Sequence, residues 1–507
     1  MKSTSLAHRS NLFLESTIEM EKPRKILLRA NGSAKTGLGH FYRIFALYSM
    51  FKSDSESVLV TAADSWTNAI PQELNYCLLP ENISIEQEIH WISKKYPSSD
   101  YLFFADGYQF DEAYQFLVKK EGYKLLYIDD LMAWPMHADW VINHALSANS
   151  FAYSVDSTSR VVAGTAYAIL RPAFQKASQL PVVARESGIY FVCFGGADPM
   201  DLSVKATQAL LTFPSVKKVH VVIGAAYIHQ TLSEIEKVDS RVEVHRNVDE
   251  ALMAELMLTS TFGIVSASTT LYEACACRLP VLCGYYVDNQ VGIYNGALRR
   301  GFIYPAGDMR AFTVNKFHAI LIQALSHEDD LKIQQLQAIS FDGRSAKRIQ
   351  QMIETDYRRA TINDVKLIYD WSNDPITRAN SYSSEPILFE NHVTWFSNKL
   401  MDKNSYFYIA EFKGYPAGLV RYEIKGDHAV VGILVGEDYR GKGLATEFLR
   451  GSGYFYFKEN DLPVFAYIKT QNKASIGAFE RAGYSFVMEE EVQGFASYVY
   501  KIEKNQL

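Results

Sequence analysis

Residues 25–51, "KILLRANGSAKTGLGHFYRIFALYSMF", join an apolar run to a helical pattern through a turn rich in glycine. A strand–turn–helix unit of this kind presents free backbone N–H groups at the start of its helix, where they can hold an anion or developing negative charge. Gly37 and Gly39 let a ligand approach the backbone closely, and His40 follows in the first helical turn. An imidazole there can take a proton from water near neutral pH, or can serve only as a hydrogen-bonding residue.

Apolar runs like the first one recur to about Tyr286 and are separated by segments of helical length. They include "SVLVTAA", "YLFFAD", "KLLYIDD", "DWVINH", "IYFVCFGG", "KVHVVIG", "FGIVSAS" and "PVLCGYY". Nearly continuous apolar runs are typical of parallel strands buried on both faces. A polar bridge at residues 175–187 divides them into two sets, and we place the boundary at residues 174–186. We therefore predict two doubly wound α/β domains with a ligand cleft at the carboxyl ends of their strands.

The sequence pattern changes after "RSAKRIQQMIETDY", where strand-like runs alternate with Gly and Asp turns. This pattern predicts a meander of antiparallel strands, followed by a turn and a helix at "GEDYRGKGLATEFLRGSGYFYF". A third, α+β domain is expected to start near Tyr357. The predicted division is an extension at residues 1–22, α/β domains at 23–178 and 179–355, and the α+β domain at 356–507.

Composition narrows the classes of function. Of the 507 residues, 48% are hydrophobic and 21% are charged, which is ordinary for a globular protein. The net charge is −6, so no excess of positive charge indicates a nucleic-acid partner. Residues 1–24 lack the apolar core of a signal peptide and no later run has the length of a membrane span, so we expect a cytoplasmic protein without a membrane partner. The five cysteines lack metal-ligand spacing and are predicted to be buried structural thiols.

Two further segments suit a nucleotide. "FGGADP" joins a strand to Gly195 and Gly196, and "SASTTLYEA" places Ser268 and Thr269 at a helix start with Glu273 one turn later on the same face. The hydroxyl pair suits a diphosphate, and the carboxylate suits ribose hydroxyls because it accepts two hydrogen bonds. No Walker lysine or acidic cluster demands a divalent metal, so we predict a metal-free reaction in which helix dipoles and backbone donors stabilise the leaving group.

From residue 25 to 353 the chain resembles the UDP-sugar hydrolases of pseudaminic acid biosynthesis, relatives of the GT-B glycosyltransferases. The resemblance rests on "RANGSAKTGLGHFYR", "DGYQFDEAY", "YIDDL", "INH", "GTAYAILRPAF", "CFGGADPMDLS", "SASTTLYEA", "VDNQ" and "FDGRSAKRI". It implies a GT-B-like pair of Rossmann-type domains and cleavage of the C1–O bond by water with inversion. His40 is then the base, and Asp106, Tyr108 and Asn289 line the sugar pocket. The implied substrate-binding residues are Gly37, Gly39, Arg43, Gly195, Gly196, Ser268, Thr269, Glu273 and Gln290.

Adjacent acids follow the run "KLLYIDD". Asp129 and Asp130 point to opposite faces of a strand end, where one of them can reach substrate or both can be solvated or capping.

The segment "YRGKGLA" follows the apolar run "VVGILV" and opens a helix, so its backbone N–H groups can grip a pyrophosphate. A second segment, "IKTQNKASIGAFERAGYSF", lies one strand later. Together they resemble the two signatures of GNAT acyltransferases. This resemblance implies acetyl-CoA as cosubstrate, held by Val435, Arg440, Gly441, Lys442, Gly443, Leu444, Ala445, Asn472 and Ser475.

Residues 358–396 further resemble the acetyltransferases that modify the 4-amino group of a UDP-sugar in the same pathway. That likeness is carried by Trp371, Asn373, Ser381, His392 and Trp395, of which Trp395 is expected mainly to pack. Many GNAT enzymes carry a tyrosine where this chain has Phe479, and phenylalanine cannot protonate a departing thiolate. Glu423, His428 and Tyr484 are the alternative proton carriers. His428 could instead be only an exposed turn residue without a catalytic role.

The two resemblances imply consecutive steps on one metabolite: acetylation of a UDP-4-amino sugar, and then hydrolysis to free sugar and UDP. The expected partners are UDP-amino sugars and acetyl-CoA. One alternative is a GT-B glycosyltransferase fused to an acetyltransferase. Another is a hydrolase whose GNAT module has decayed into a binding scaffold or acetylates a protein amine.

Overall fold

A computed structural model describes residues 25–33, 38–181, 185–326 and 328–507. The predicted extension at residues 1–22 and the predicted ligand residue Gly37 lie outside these ranges.

The first sheet is entirely parallel, and its strand order is β3-β2-β1-β4-β5-β6-β7. Its strands are β1 Lys25–Ala30, β2 Ser57–Thr61, β3 Asn75–Leu78, β4 Tyr101–Asp106, β5 Leu125–Ile128, β6 Trp140–Asn143 and β7 Arg160–Ala163. The accompanying helices are α1 Gly39–Phe51, α2 Ile85–Lys95, α3 Glu112–Lys120 and α4 Pro172–Ala177. The order reverses between β1 and β4, and ligands bind at such a point in doubly wound folds.

The second sheet repeats this topology, with the parallel order β10-β9-β8-β11-β12-β13. Its strands are β8 Ile189–Cys193, β9 Lys218–Ile223, β10 Val242–Arg246, β11 Phe262–Ser266, β12 Val281–Tyr285 and β13 Tyr304–Asp308. Its helices are α5 Leu202–Leu210, α6 Thr231–Val238, α7 Glu250–Thr259, α8 Thr269–Ala276, α9 Val291–Arg299, α10 Val314–Ala324 and α11 Asp330–Ser340. The next helix, α12, spans Ser345–Ile353.

The third sheet has the order β14-β15-β16-β17-β18-β20-β19, and only its β17–β18 pair is parallel. Its strands are β14 Thr355–Arg359, β15 Ser405–Phe412, β16 Tyr415–Lys425, β17 His428–Val435, β18 Val464–Lys469, β19 Ser485–Val492 and β20 Phe495–Ile502. Its helices are α13 Val365–Asn373, α14 Pro375–Asn380, α15 Phe389–Met401, α16 Leu444–Glu459 and α17 Lys473–Ala482.

Helix α12 packs against the first sheet although it follows the second in sequence. Its apolar face, formed by Ile349, Met352 and Ile353, is buried in the same core as β1 and α1. Gln350 also donates to the backbone carbonyl of Met50 in α1. Packing therefore assigns α12 to the first α/β unit, because its apolar face covers α1, whereas the predicted division placed it in the second.

Helix α16 lies between the third sheet and the edge of the first. Its Tyr454 stacks on Phe151 with ring centroids 5.4 Å apart. Glu447 accepts hydrogen bonds from Arg160 of β7 and from the Tyr357 hydroxyl; Arg160 and Glu447 are buried, and Tyr357 is half-buried. The same helix thus belongs to the core of the third unit and to a buried contact with the first.

The predicted fold class is confirmed: two parallel α/β sheets are followed by an α+β unit. The sequence patterns missed the short strands β3 and β7, and they also missed β13, whose Pro305 and Gly307 break an apolar run. Four cysteines are buried as expected, whereas Cys77 is partly exposed and lies 3.0 Å from Lys95 Nζ. Within the described residues, no helix combines the length and apolar character needed to cross a membrane.

Candidate active sites

The reversal of strand order in the first sheet brings His40 and Asp106 together. Helix α1 begins directly after β1, and Asp106 is the last residue of the neighbouring strand β4. His40 Nδ1 lies 2.7 Å from Asp106 Oδ1. A terminal nitrogen of Arg43 also lies 3.0 Å from the same Nδ1 atom. An ionised carboxylate only accepts hydrogen bonds, so the shorter contact with Asp106 favours the tautomer in which Nδ1 carries the proton and Nε2 is the basic nitrogen. The pair has the geometry of a base held by a carboxylate.

Arg43 completes this cluster one turn further along α1. Its Nε and one terminal nitrogen lie 2.8 and 2.7 Å from the two oxygens of Asp106, and its other terminal nitrogen lies 2.8 Å from Asp130. Burial opposes ionisation of Asp106, but Arg43 and His40 together lower the pKa of its carboxyl below the usual value. Asp106 is therefore an anion at neutral pH.

This arrangement corrects the expectation that Asp106 lines the sugar pocket. Its side chain is fully buried behind His40 and Arg43, so it orients them instead of touching a ligand. Tyr108 keeps an exposed position, and its ring meets that of His40 edge-on at 4.7 Å. Its hydroxyl lies 3.3 Å from Asp130.

The adjacent acids Asp129 and Asp130 do face different partners. Asp129 is buried and accepts hydrogen bonds from the Tyr153 hydroxyl and from two backbone N–H groups. Asp130 faces the His40 cluster through Arg43 and Tyr108. Only Asp130 is therefore placed to contact a ligand.

A cleft of about 940 Å³ separates the first two sheets at the carboxyl ends of their strands. The first unit contributes Gly39, Arg43 and Trp66, so the His40 cluster stands at its border. The second unit contributes Gly195 and Gly196, two of the candidate substrate-binding residues, together with Gly224. A Cβ atom on Gly224 would come within 2.6 Å of the Gly196 backbone, so only glycine permits these two loops to pack.

Glu273 lies in the wall of this cleft, where the sequence places it. It is buried, and Arg171 Nε from the start of α4 lies 2.7 Å from its Oε1. Burial raises the pKa of Glu273, and the guanidinium of Arg171 only partly offsets that effect. The residue is thus a buried carboxyl group in the wall of the large cleft, already paired with the guanidinium of Arg171.

The hydroxyls beside Glu273 divide their roles differently from the expectation. Ser268 is the N-cap of α8, and its side chain accepts a hydrogen bond from the Thr270 backbone N–H. Thr269 and Thr270 line the cleft. Capping therefore occupies Ser268, and the threonines are the hydroxyl groups that face a ligand.

Asn289 and Gln290 stand in a short 3₁₀ turn after β12. Asn289 is exposed, while Gln290 is buried and its Oε1 accepts a hydrogen bond from the Tyr286 backbone N–H. Among the described residues, neither of these two belongs to the lining of the large cleft. The structure thus brings His40, Arg43, Gly195, Gly196 and Glu273 around one cavity but leaves this amide pair outside it.

The third sheet opens a second cleft, because β17 and β18 pair only at Ala429–Val464 and Val430–Phe465 and then diverge. We call this opening the splayed cleft. The opening encloses about 500 Å³ and is lined by Val435, Arg440 and the glycines Gly441 and Gly443. Leu444, Ala445, Asn472 and Ser475, which the sequence analysis assigned to acetyl-CoA binding, line it too. Lys442 is exposed on the outer side of the turn, with its ammonium 5.5 Å from the Tyr439 ring centroid.

The turn before α16 is built for an anion. Gly441 and Gly443 have φ angles of +75° and +79°, which favour glycine, and Gly443 is the N-cap of this long helix. Arg440 is used inside the protein: it donates to the Val435 carbonyl and lies 2.8 Å from Asp374. Arg440 thus fixes the turn, and the backbone N–H groups of the turn remain for a phosphate.

The proposed proton carriers are mostly misplaced. Phe479 lines the splayed cleft, but Tyr484 packs behind it in the core and burial raises its pKa well above the usual value. Glu423 is bound by Lys399 at 2.6 Å, outside both cavities of this unit. His428 sits at the start of β17 beside Asp427, as an exposed-turn residue would. The sequence could not assign Tyr484 to a face, because it follows a left-handed turn at Gly483.

A side pocket of about 480 Å³ adjoins the splayed cleft, and both share Ser381 and residues 432–434 of β17. His392 and Trp395 line it from α15, so Trp395 both packs and faces the pocket. The Nε2 atom of His392 is buried with no hydrogen-bond partner among the described residues. Arg378 and Arg421 make the pocket cationic. Asn373 instead holds the loop at Ile387, and Trp371 packs near Gly436.

Among the residues that the structure describes, one group of side chains could hold a metal ion. His220 on β9 faces Glu243 and His245 on the edge strand β10, with ligand atoms within 4.8 Å of one another. Lys218 Nζ already lies 2.6 Å from Glu243, and the two imidazoles lie 3.0 Å apart. The group stands upstream of Asn247 and Val248, which line the large cleft, so it is outside the described cleft lining.

Comparison with known proteins divides the chain in the same way. Residues 356–485 match the acetyltransferase (GNAT) domain family. This part of the chain is a GNAT acetyltransferase domain. An uncharacterized protein of Methanocaldococcus jannaschii is 23% identical over 91% of this chain and 96% of its own length, so the similarity spans both parts.

Other relatives and a solved structure each match only a portion of the chain. A UDP-2,4-diacetamido-2,4,6-trideoxy-beta-L-altropyranose hydrolase of Campylobacter jejuni is 27% identical over 55% of this chain and 97% of that protein. A spore coat polysaccharide biosynthesis protein of Bacillus subtilis is 30% identical over 30% of this chain and 46% of that protein. A solved spermidine N-acetyltransferase from Vibrio cholerae, in complex with CoA and spermine, matches 30% of this chain and 98% of its own with 17% identity and a TM-score of 0.28.

The chain therefore joins a region similar to a sugar-nucleotide hydrolase to an acetyltransferase domain. Sequence reasoning missed several residues that line the clefts: Arg171, Gly224, Thr270, Arg378, Arg421 and Tyr467. For Arg171 a signal existed, since it precedes the helix-starting proline of "ILRPAF" at the boundary of the two units.

Proposed function

We propose that this protein is a bifunctional sugar-nucleotide enzyme of pseudaminic acid biosynthesis. Its GNAT domain transfers the acetyl group of acetyl-CoA to the amine of UDP-4-amino-4,6-dideoxy-N-acetyl-altrosamine. Its two α/β units then hydrolyse UDP-2,4-diacetamido-2,4,6-trideoxy-altrose to free sugar and UDP. The observation that carries the hydrolytic step is the His40–Asp106 pair at the border of the large cleft.

In the hydrolytic step, His40 Nε2 takes a proton from a water molecule and the water oxygen attacks C1 of the sugar. The C1–O bond breaks, and its electron pair leaves with UDP. Asp106 stabilises the imidazolium that forms, because its carboxylate accepts the Nδ1 hydrogen bond. Arg43 keeps that carboxylate ionised and in place.

The second α/β unit holds the nucleotide in this proposal. Gly195, Gly196 and the start of α8 supply backbone donors for the diphosphate, which also stabilise the departing charge. Glu273 accepts hydrogen bonds from ribose hydroxyls, and its contact with Arg171 fixes the carboxyl in the cleft wall. No step is assigned to a metal ion.

In the acetyl transfer, the sugar amine attacks the thioester carbonyl and the C–S bond breaks. The amine loses one proton and the departing thiolate gains one. Tyr467 replaces Tyr484 as the candidate acid, because it lines the splayed cleft and burial raises its pKa, which keeps the phenol protonated. Arg421 in the side pocket favours an acceptor that carries a diphosphate and disfavours a polycationic amine.

A glycosyltransferase would use the same large cleft, with a second sugar or lipid in place of water. The His40–Asp106 pair (the dyad) favours hydrolysis, because His40 is placed to activate a small nucleophile at the cleft border. A decayed GNAT domain would keep the fold without acetyl transfer, and free CoA would then not appear.

The test is UDP release from the diacetamido sugar nucleotide, measured without any acceptor, in the wild type and in His40→Ala. We expect the variant to be about 100-fold slower or more, with UDP affinity within a few-fold, since the imidazole acts on water. His90→Ala, an exposed histidine of α2, is the matched control. Unchanged turnover in His40→Ala would refute the assignment, and loss of activity in chelator that magnesium restores would refute the metal-free step.

A further inference from the structure

Helix α12 reaches the phosphate-binding turn of the GNAT domain, although it precedes that domain in sequence. Gln351 Nε2 donates to the Lys442 backbone carbonyl over 3.3 Å. One turn earlier on the same face of α12, Lys347 Nζ lies 3.4 Å from the position that a Cβ atom of Gly443 would take. Two residues of one helix face thus flank the turn between Gly441 and Leu444.

The other face of α12 holds it in place. Ile349, Met352 and Ile353 are buried against the first α/β unit. Lys347 points away from that core and is exposed. Its position beside Gly443 is therefore set by packing of α12 against the first unit and by the contacts of α12 with β14 and α16.

The ammonium of Lys347 forms no ion pair with any residue that the structure describes. In the part of the chain that the structure describes, Lys347 has no ion pair, whereas Arg440 of the same turn is paired with Asp374. A lysine with a free ammonium beside a glycine turn and a helix start is a phosphate-binding arrangement, because the ammonium adds a full charge to the partial charges of the backbone N–H groups. On its open side, a Cβ atom on Gly441 would meet nothing within 4 Å, so a phosphate has room to enter.

We propose that Lys347 completes a phosphate subsite at the start of α16 that binds a phosphate group of acetyl-CoA. The acetyl-CoA site is then composite, since its backbone donors come from the GNAT domain and one of its cations comes from a helix packed on the hydrolase-like part. This inference rests on the proposed acetyltransferase function. It also gives a physical reason for the fusion, because the GNAT domain alone lacks this cation.

The test is acetyl-CoA binding to the full-length chain, measured by calorimetric titration at low salt and at about 0.5 M salt. We expect Lys347→Ala to weaken binding about 5-fold at low salt, as one charge contact near the surface implies, and the difference to shrink in high salt. Lys347→Arg should keep most of the affinity. Lys332→Ala, an exposed lysine of α11, is the matched control and should bind like the wild type.

Two further arms give each failure a distinct meaning. Titration with 3′-dephospho-acetyl-CoA assigns the contact, since the Lys347→Ala effect persists if the diphosphate is bound and vanishes if the 3′-phosphate is bound. Equal melting temperatures of variant and wild type show that the fold is intact. Wild-type affinity in Lys347→Ala, or a loss that high salt leaves unchanged, would overturn the subsite. Absence of binding by the wild type would instead overturn the acetyltransferase function itself.

Discussion

At the scale of single residues, Asp106 decides which nitrogen of His40 is basic. Its Oδ1 lies 2.7 Å from Nδ1, and its second oxygen is bound by Arg43 Nε. The carboxylate thus holds both the tautomer and the orientation of the ring. Asp130 binds the same arginine but does not touch His40, which makes it the natural comparison.

We predict that Asp106→Asn slows UDP release by about 100-fold or more, because the amide no longer fixes the Nδ1 proton. UDP affinity should change by less than a few-fold, since the proposed nucleotide site lies against the second sheet. Asp130→Asn should cost far less. Single-turnover rates and UDP titrations of both variants give the answer, and equal losses in the two variants would contradict the dyad.

The same carboxylate contributes to stability in a defined pH range. Its pKa in the folded protein is lowered from 3.8, so the folded state binds this proton less readily than the unfolded chain. The contribution is therefore fully present above the ordinary pKa and is lost as the pH falls through the lower, folded-state pKa. We predict that the melting temperatures of wild type and Asp106→Asn differ at pH 7 and converge in strong acid. A gap that widens in acid would contradict the ion pair.

At the scale of elements, most of the strands and glycine turns could be predicted from the sequence, but the contacts between distant elements could not. Continuous apolar runs indicate buried parallel strands directly. The contact between Arg171 and Glu273 spans 102 residues and depends on the packing of α4 against α7 and α8, which no local pattern encodes. Tyr484 and Phe479 are both buried and in contact, yet only Phe479 also lines the cleft, because the turn at Gly483 redirects the chain between them.

The turn before α16 gives a sharp test of the acetyl-CoA site. Gly441 and Gly426 both have positive φ angles and open space at the Cβ position, but only Gly441 lines the splayed cleft. We predict that Gly441→Val and Gly426→Val each cost about 1–3 kcal/mol of stability from backbone strain. Only Gly441→Val should also abolish acetyl-CoA binding in titrations. Equal binding by both variants would place the pyrophosphate elsewhere.

At the scale of the whole molecule, α16 ties the GNAT domain to the first sheet. Arg160 and Glu447 form a buried pair between them, with the Tyr357 hydroxyl as a third member. Removing one partner leaves an uncompensated buried charge, which typically costs about 3–5 kcal/mol. The pair therefore couples the stability of the two units without requiring any transfer of substrate between their clefts.

We predict that Arg160→Leu and Glu447→Leu each lower the midpoint of thermal unfolding strongly, while the double variant recovers part of the loss. Recovery is expected because the double variant buries no lone charge. Arg359→Leu, which breaks the exposed pair with Glu459, is the control and should have little effect. Strictly additive losses in the double variant would show that the two side chains do not depend on each other.

The central claim is that the two parts act in sequence on one metabolite. The most direct measurement incubates the intact protein with UDP-4-amino-4,6-dideoxy-N-acetyl-altrosamine, with and without acetyl-CoA, and follows free CoA and UDP over time. The account predicts that CoA appears first and that rapid UDP release depends on acetyl-CoA. UDP release at equal rates with and without acetyl-CoA, or no CoA release at all, would contradict it.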